Sequence, residues 1–351
     1  MERSATSPPD PDAPRRGRGK LLPLALALWL GVLALALLVG PGELGIGDVL
    51  TILGSHLGIA DASSPAIADA IVWNLRLPRA LLATLVGAAL GAAGALTQGI
   101  FRNPLAEPGI LGISSGAALF AVLGFAFGVD AFGPWATAGL AAGGAIAVLL
   151  LLLAFIGARV DVATLLLSGV AIAALTSAIT TLILALAAQR WDLGLKVLQW
   201  MMGSFEGRSW SHLGIAAPLV TGGLALSLWI RRDLDVLFLG ADTARSLGVD
   251  LRRLHLLAVA AIGLLVGSAT ALTGIIGFVG LIVPHLARQL IGPSHRSLLP
   301  LSAILGGALL LLVDTSTRAF SGIVIPPGVV TSLLGAPAFL WILWRQRIRA
   351  P

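Results

Sequence analysis

The chain has 351 residues, 57% of them hydrophobic and only 11% charged, with no cysteine and a formal net charge of +6. A soluble domain carries about a quarter of its residues charged, so this composition, with a mean hydropathy of +0.96, describes a polytopic membrane protein. The lack of cysteine excludes a disulfide framework, a thiol nucleophile and a cysteine metal site. The basic residues stand in short clusters between apolar spans, where they set topology and do not form a nucleic-acid surface.

The first 20 residues, rich in Pro, Ser, Arg and Asp and ending in RRGRGK, are expected to form a disordered cytoplasmic tail. The rest, 21–351, reads as one transmembrane domain. About 20 apolar residues cross a bilayer core. On that scale ten spans are expected, at about 21–40, 80–99, 109–128, 134–157, 163–186, 212–230, 254–273, 276–291, 298–317 and 328–345. The first follows a basic cluster and is read as a retained helix that directs insertion. The eighth is short and carries Pro284, and the sequence leaves its full crossing open. Nothing alternates as barrel strands do, so the expected class is all-α.

With the N-terminus placed in the cytoplasm, six of the 23 lysines and arginines fall outside: Arg76, Arg79, Arg190, Lys196, Arg208 and Arg318. The rest fall inside, a positive-inside bias that also puts the C-terminal WRQRIRAP in the cytoplasm. Small-residue pairs, Gly87 with Gly91 and Gly139 with Gly143, are expected to let helix backbones approach closely. The outer segment at about 187–211, with Trp191, Trp200 and Trp210, is expected to lay a short helix along the membrane interface.

Between the second and third spans runs RNPLAEPGILGISSGAAL, Arg102–Leu119. Pro104 and Pro108 block a continuous helix. Irregular backbone at membrane depth must be buried in protein or line a cavity. On residue chemistry alone, a plain rigid turn accounts for Pro104, Glu107 and Pro108.

Enzymatic signatures are missing. Neither Lys20 nor Lys196 follows a glycine-rich phosphate loop, and no nucleophile elbow is present. The five histidines are dispersed. Few ionisable residues fall within spans; Asp314 lies near the end of one and reads as a boundary or packing residue. A proton- or ion-coupled carrier buries such groups along its path, so the energy for transport is expected from another subunit. The alternatives are a self-contained secondary transporter, which predicts gradient-driven uptake without an ATPase, and an integral-membrane enzyme, for which no catalytic constellation is found.

The inner segment Arg231–Leu254, RRDLDVLFLGADTARSLGVDLRRL, carries the elements of a docking helix. Asp242 can cap a short helix and Gly248 can end it. Leu237, Ala244 and Leu247 share an apolar side at helical spacing. A helix of two turns is unstable alone and needs a surface to pack against.

At these residues the sequence resembles the FecCD-type permeases of ATP-binding-cassette importers, a group that carries cobalamin, ferric siderophores and haem. The motifs are LRLPR (Leu75–Arg79), the Arg102–Leu119 run, LLLSGVAI (Leu165–Ile172), WMMGSF (Trp200–Phe205), LGADTARSLGV (Leu239–Val249), IGFVGLIVPHLAR (Ile276–Arg288) and GVVTSLLGAPAFLWIL (Gly328–Leu343), in family order. The resemblance implies a type II, BtuC-like ten-helix bundle in a bacterial inner membrane. It implies a homodimer with the substrate path at its interface, two ATPase subunits below and an extracytoplasmic binding protein above. It implies no cofactor on this chain, ATP and Mg being held by the ATPase. Residue by residue, it assigns Ala241, Asp242, Thr243, Ala244, Arg245, Ser246, Leu247 and Gly248 to the ATPase-coupling helix. It assigns Arg76, Arg79 and Arg318 to contacts with the binding protein, and Asn103, Leu105, Val162 and Ala163 to cytoplasmic constrictions.

Overall fold

A computed structural model describes residues 20–40, 42, 44–59, 65–155, 162–187, 190–319 and 325–349. The N-terminal tail lies outside them. Ten apolar helices appear where ten spans are expected: α1 (Leu21–Leu38), α2 (Leu77–Ile100), α3 (Ile113–Ala126), α4 (Pro134–Phe155), α5 (Val162–Leu186), α6 (Trp210–Trp229), α7 (Leu251–Thr273), α8 (Val279–Ile291), α9 (His295–Ala319) and α10 (Pro327–Arg349). Eight include a stretch long and apolar enough to cross a membrane; α3 and α8 are shorter. The chain is a multi-pass membrane protein.

The helices sort into a centre and a shell. The most apolar windows of α2, α7 and α9 are 78%, 78% and 67% buried, against 22–33% for α1, α4, α5, α6 and α10. Apolarity cannot explain this sorting, because lipid accepts a leucine as readily as another helix does. Close backbone approach can. A Cβ placed on Gly87 would lie 2.2 Å from the Gly306 carbonyl oxygen, and one on Gly91 would lie 2.3 Å from that of Ser302, so α2 and α9 touch backbone to backbone. The second predicted pair behaves otherwise. Gly139 and Gly143 meet nothing within 4 Å; the neighbouring Gly144 makes the contact instead, against Gly116 of α3.

The third span is shorter than its apolar run. After α2 the chain turns at Arg102, forms a single 3-10 turn at Pro108–Leu111, and reverses at Gly112 (φ +73°) before α3 begins. Pro108 rests against Gly280 of α8, and Ile110 and Leu111 rest against Gly169 of α5. The run therefore folds back into the bundle, and α3 starts within it. The expected interface helix is present at Trp191–Met201, with Leu193 and Val197 buried and Trp191 exposed. Two features escaped the sequence reading. Ile46–His56 is helical, and α2 continues backward through Ala66–Asp69 and a π-helical turn, Ala70–Arg76.

Candidate functional site: two charged ends and a re-entrant loop

The bundle has a basic end and an opposite end. At the basic end α6 continues into a short helix, Arg231–Leu237, followed by the predicted docking helix at Ala241–Ser246. Gly240 (φ +121°) lets the chain turn into it. It closes in a Schellman motif: the Gly248 amide donates to Arg245 at 3.0 Å, and the Val249 amide donates to Ala244 at 3.0 Å. Gly248 (φ +86°) supplies the left-handed residue that motif needs.

Two details differ from expectation. Asp242 lies within the first turn and makes no cap; its fully exposed carboxylate pairs with Arg245 Nη1 at 2.7 Å. Leu247 does not join Leu237 and Ala244 in the core. Ala244 is 0% and Leu237 2% exposed, whereas Leu247 is 63% exposed, beside Leu239 at 66%. The helical spacing breaks because Leu247 lies past the last helical residue, Ser246. The segment is thus anchored by one alanine and presents leucines and charges outward.

The same segment is tied to the transmembrane helices. Asp235 Oδ1 accepts the backbone amide of His295 at 2.7 Å and lies 2.7 Å from its Nδ1, while Ser294 Oγ donates to Asp235 Oδ2 at 3.1 Å. Burial pushes the Asp235 carboxyl up, but these hydrogen bonds and the charge of His295 outweigh it and hold it below its ordinary 3.8. A carboxylate over the first turn of α9 also complements the helix dipole. The His295 ring stands over Gly99 of α2, where a Cβ would lie 2.6 Å from Nε2.

Asn103 and Leu105 sit next to this region. α2 ends in a second Schellman motif, with Arg102 itself in the left-handed conformation (φ +49°) and the Asn103 amide donating to Gln98 at 3.2 Å. The exposed Asn103 folds its carboxamide onto the Leu105 amide at 2.9 Å. Glu107 is more than a turn residue: its Oε1 accepts the amide of Phe278, the residue before α8, at 2.9 Å. Val162 and Ala163 open α5, Val162 partly buried and Ala163 exposed; the segment before them, 156–161, lies outside the described residues. The Arg102 side meets α5 lower down, through Ile110 and Gly169. Alongside Gly277, a cavity of about 600 Å³ lies between Met201, Ile275 and the α10 residues Gly328, Ser332 and Ala336.

At the opposite end the three predicted docking arginines turn inward. Arg76 is 4% exposed and donates to the carbonyls of Leu37, Leu38, Gly40 and Gly42. Arg318 donates to Val39 at 3.0 Å and Ala36 at 3.2 Å. Both cap the C-terminal carbonyls of α1, where cations are favoured. Arg79 forks onto Asp314, Nη2 to Oδ1 at 2.8 Å and Nε to Oδ2 at 3.0 Å. Asp314 is 0% exposed and also lies 3.3 Å from Arg318 Nε, so it is a buried counter-ion to two arginines and not a boundary residue. Arg79 alone of the three keeps about a fifth of its side chain exposed, 21%.

Comparison with known proteins agrees with this architecture. Residues 27–345 match the FecCD transport family. The cobalamin import system permease protein BtuC of Halobacterium salinarum is 40% identical over 82% of this chain and 76% of its own. The ABC transporter permease protein YvrB of Bacillus subtilis is 42% identical over 79% of each chain. The vitamin B12 import system permease protein BtuC of Shigella boydii is 38% identical over 93% of this chain and 95% of its own. A solved chain described as an inward-facing conformation of a metal-chelate type ABC transporter superposes with a TM-score of 0.80, at 30% identity, covering 93% of this chain and 99% of that one. With residues 27–345 matched to the family and relatives of this identity and coverage, the chain belongs to the FecCD family and is the membrane permease subunit of a BtuC-type ABC importer.

Proposed function

We propose that this permease carries a cobalamin into the cytoplasm, working as a homodimer with two ATPase subunits at its basic end and a substrate-binding protein at the other. The reading assigns the basic end to the cytoplasm, by the positive-inside rule, and the membrane to the bacterial cytoplasmic membrane. The observation that carries it is the outward-facing helix at Ala241–Ser246. It is too short to be stable alone, is fixed through Ala244, and offers Leu239, Leu247 and a charge pair to a partner. ATP binding below would move this element, and the helices around Asn103 and Leu105 would then open inward, with Val162 and Ala163 on the second side of the constriction.

Cobalamin is favoured because relatives 38–40% identical to this chain, from Halobacterium salinarum, Citrobacter koseri and Shigella boydii, are named for cobalamin or vitamin B12. The solved metal-chelate transporter supports a second reading, a ferric siderophore or haem. A secondary carrier is disfavoured, because Asp314 is neutralised by two arginines and is not poised to bind a coupling ion. On the outer face, Arg79 is the residue proposed to meet an acidic group of the binding protein; Arg76 and Arg318 hold α1 in place beneath it.

The test is reconstitution of the permease with its ATPase and binding protein in proteoliposomes, followed by uptake of cyanocobalamin, a ferric siderophore and haem. ATP-dependent uptake of cyanocobalamin alone is expected. Uptake of one of the others, or uptake driven by a proton gradient without ATP, overturns the assignment.

A further inference from the structure

The helix α8 is held at one end by the loop that carries Asn103 and Leu105, and at the other by the segment that carries the docking helix. At its start the Glu107 carboxylate accepts the Phe278 amide at 2.9 Å. One turn further on, Gln98 Nε2 donates to the Leu281 carbonyl at 3.1 Å. The imidazole of His285 faces the backbone of Pro104, the residue between Asn103 and Leu105. Its Nε2 lies 2.9 Å from Gln289 Nε2, which can only donate.

At the far end Arg288 lies under the ring of Phe238, 5.9 Å from its centroid, and Phe238 follows the helix that holds Asp235. Three and four residues beyond α8, Ser294 and His295 are bonded to Asp235 itself. Between these ends α8 is a rod of 13 residues, about 20 Å at 1.5 Å per residue.

Its seat on α2 is smooth. Pro284 has no amide to offer the Gly280 carbonyl. That carbonyl instead faces Gly94, close enough that a Cβ on Gly94 would lie 1.8 Å from the oxygen. At this point two backbones touch with no side chain interlocked between them, which suits sliding of one packed helix on another.

We infer that α8 is the transmitting rod between the ATPase-docking segment and the Asn103–Leu105 gate, and that Glu107 is the positioning residue that fastens the gate loop to it. This rests on the proposed gate and docking roles. Movement of the docking segment displaces Asp235 and Phe238, α8 shifts along α2, and Glu107 draws the gate loop with it. A contact chain by itself is only spatial adjacency; a nucleotide response lost when one joint is cut shows transmission.

The chain has no cysteine, so Arg102→Cys, at an exposed position beside the gate, gives a single reporter thiol. In the assembled importer its alkylation rate is measured with and without Mg-ATP and vanadate. In the reporter background a nucleotide-dependent change of about fivefold or more is expected, the low end of ordinary site-to-site coupling. Glu107→Ala should flatten that response while ATP hydrolysis continues, raising the ATP spent per solute moved. Glu107→Gln, which keeps an acceptor for the Phe278 amide, should restore part of it. A purely structural Glu107 would instead lower thermal stability in both variants and leave the nucleotide response of the folded fraction intact. That result, or a full response in Glu107→Ala, overturns the rod. An unresponsive reporter in the otherwise unaltered protein would remove the gate reading, and the rod with it.

Discussion

Arg79 and Asp314 are 235 positions apart in the chain and meet in a forked ion pair, with both Arg79 Nε and Nη2 donating to a carboxylate that has no exposure to solvent. The pair ties the start of α2 to the end of α9, and Arg318 extends it to the end of α1.

Removing the acid leaves two guanidiniums facing each other in a buried site. Breaking such a pair from one side costs about 3–5 kcal/mol, so Asp314→Asn should markedly lower the yield and thermal midpoint of the permease in detergent. Arg79→Ala, at a partly exposed position, should cost less stability. If it weakens association with the binding protein in a salt-dependent way while the fold persists, the docking proposal for Arg79 stands; unchanged association would remove it.

The docking helix separates anchoring from contact. Ala244→Arg forces a cation into the core and should reduce folded protein. Leu247→Arg alters only an exposed side chain, so thermal stability should hold. Its effect should fall on recovery of the ATPase complex, by about thirtyfold if Leu247 is a binding hot spot of about 2 kcal/mol. Co-purification of ATPase with each variant measures this, and full recovery with Leu247→Arg would displace the contact from that residue.

Glycine seams give a third expectation. Gly94→Ala places a methyl carbon 1.8 Å from a backbone oxygen, which only separation of α2 from α8 can relieve. Overpacking of this kind costs about 1–3 kcal/mol or more. Gly139→Ala meets nothing within 4 Å, so the isolated chain should tolerate it. Thermal midpoints of the two variants in nanodiscs should differ in that order.

The Asp235–His295 tie has a pH signature. The carboxyl is held below its ordinary 3.8 in the folded protein. A depressed folded value means that its stabilisation is fully present above that ordinary value and is lost as pH falls through the folded one. Thermal midpoints of the unaltered protein and Asp235→Asn should therefore differ at neutral pH and converge as the medium is taken below pH 3.8. Parallel curves across that range would show that the bond contributes nothing net.

The spans were legible because a bilayer imposes a length and a composition on them, and all ten expected helices are found among the described residues. The start of α3 was not. The expected span, about 109–128, begins within the 3-10 turn Pro108–Leu111, which hydropathy counts as membrane although Pro108 and the left-handed Gly112 break the helix there. The end of the short helix at Ala241–Ser246 was legible, since Gly248 marks it; its start was not, since Gly240 and not Asp242 precedes the first turn. The orientation of Leu247 was not, because spacing rules fail one residue past a helix.

Long-range partners left no trace in the sequence. LRLPR shows two arginines three positions apart, one just before α2 and one in its first turn; nothing in it says that Arg76 will turn onto α1 and Arg79 onto Asp314. Glu107 was read as part of a turn because its partner is a backbone amide 171 positions away, and backbone amides are the same in every sequence. A lone acid among few charges was the available signal, as it was for Asp314.

The sorting of helices into centre and shell also divides how this molecule can change over evolutionary time. Where α2 and α9 meet through glycine backbones, as at Gly87 and Gly306, almost any side chain is an obstruction. On α5, Leu167, Val170, Leu175 and Leu182 point away from the chain's own core, and exchanges leave the scaffold intact. Substitutions can accumulate along that outer face, while the inner seam admits few.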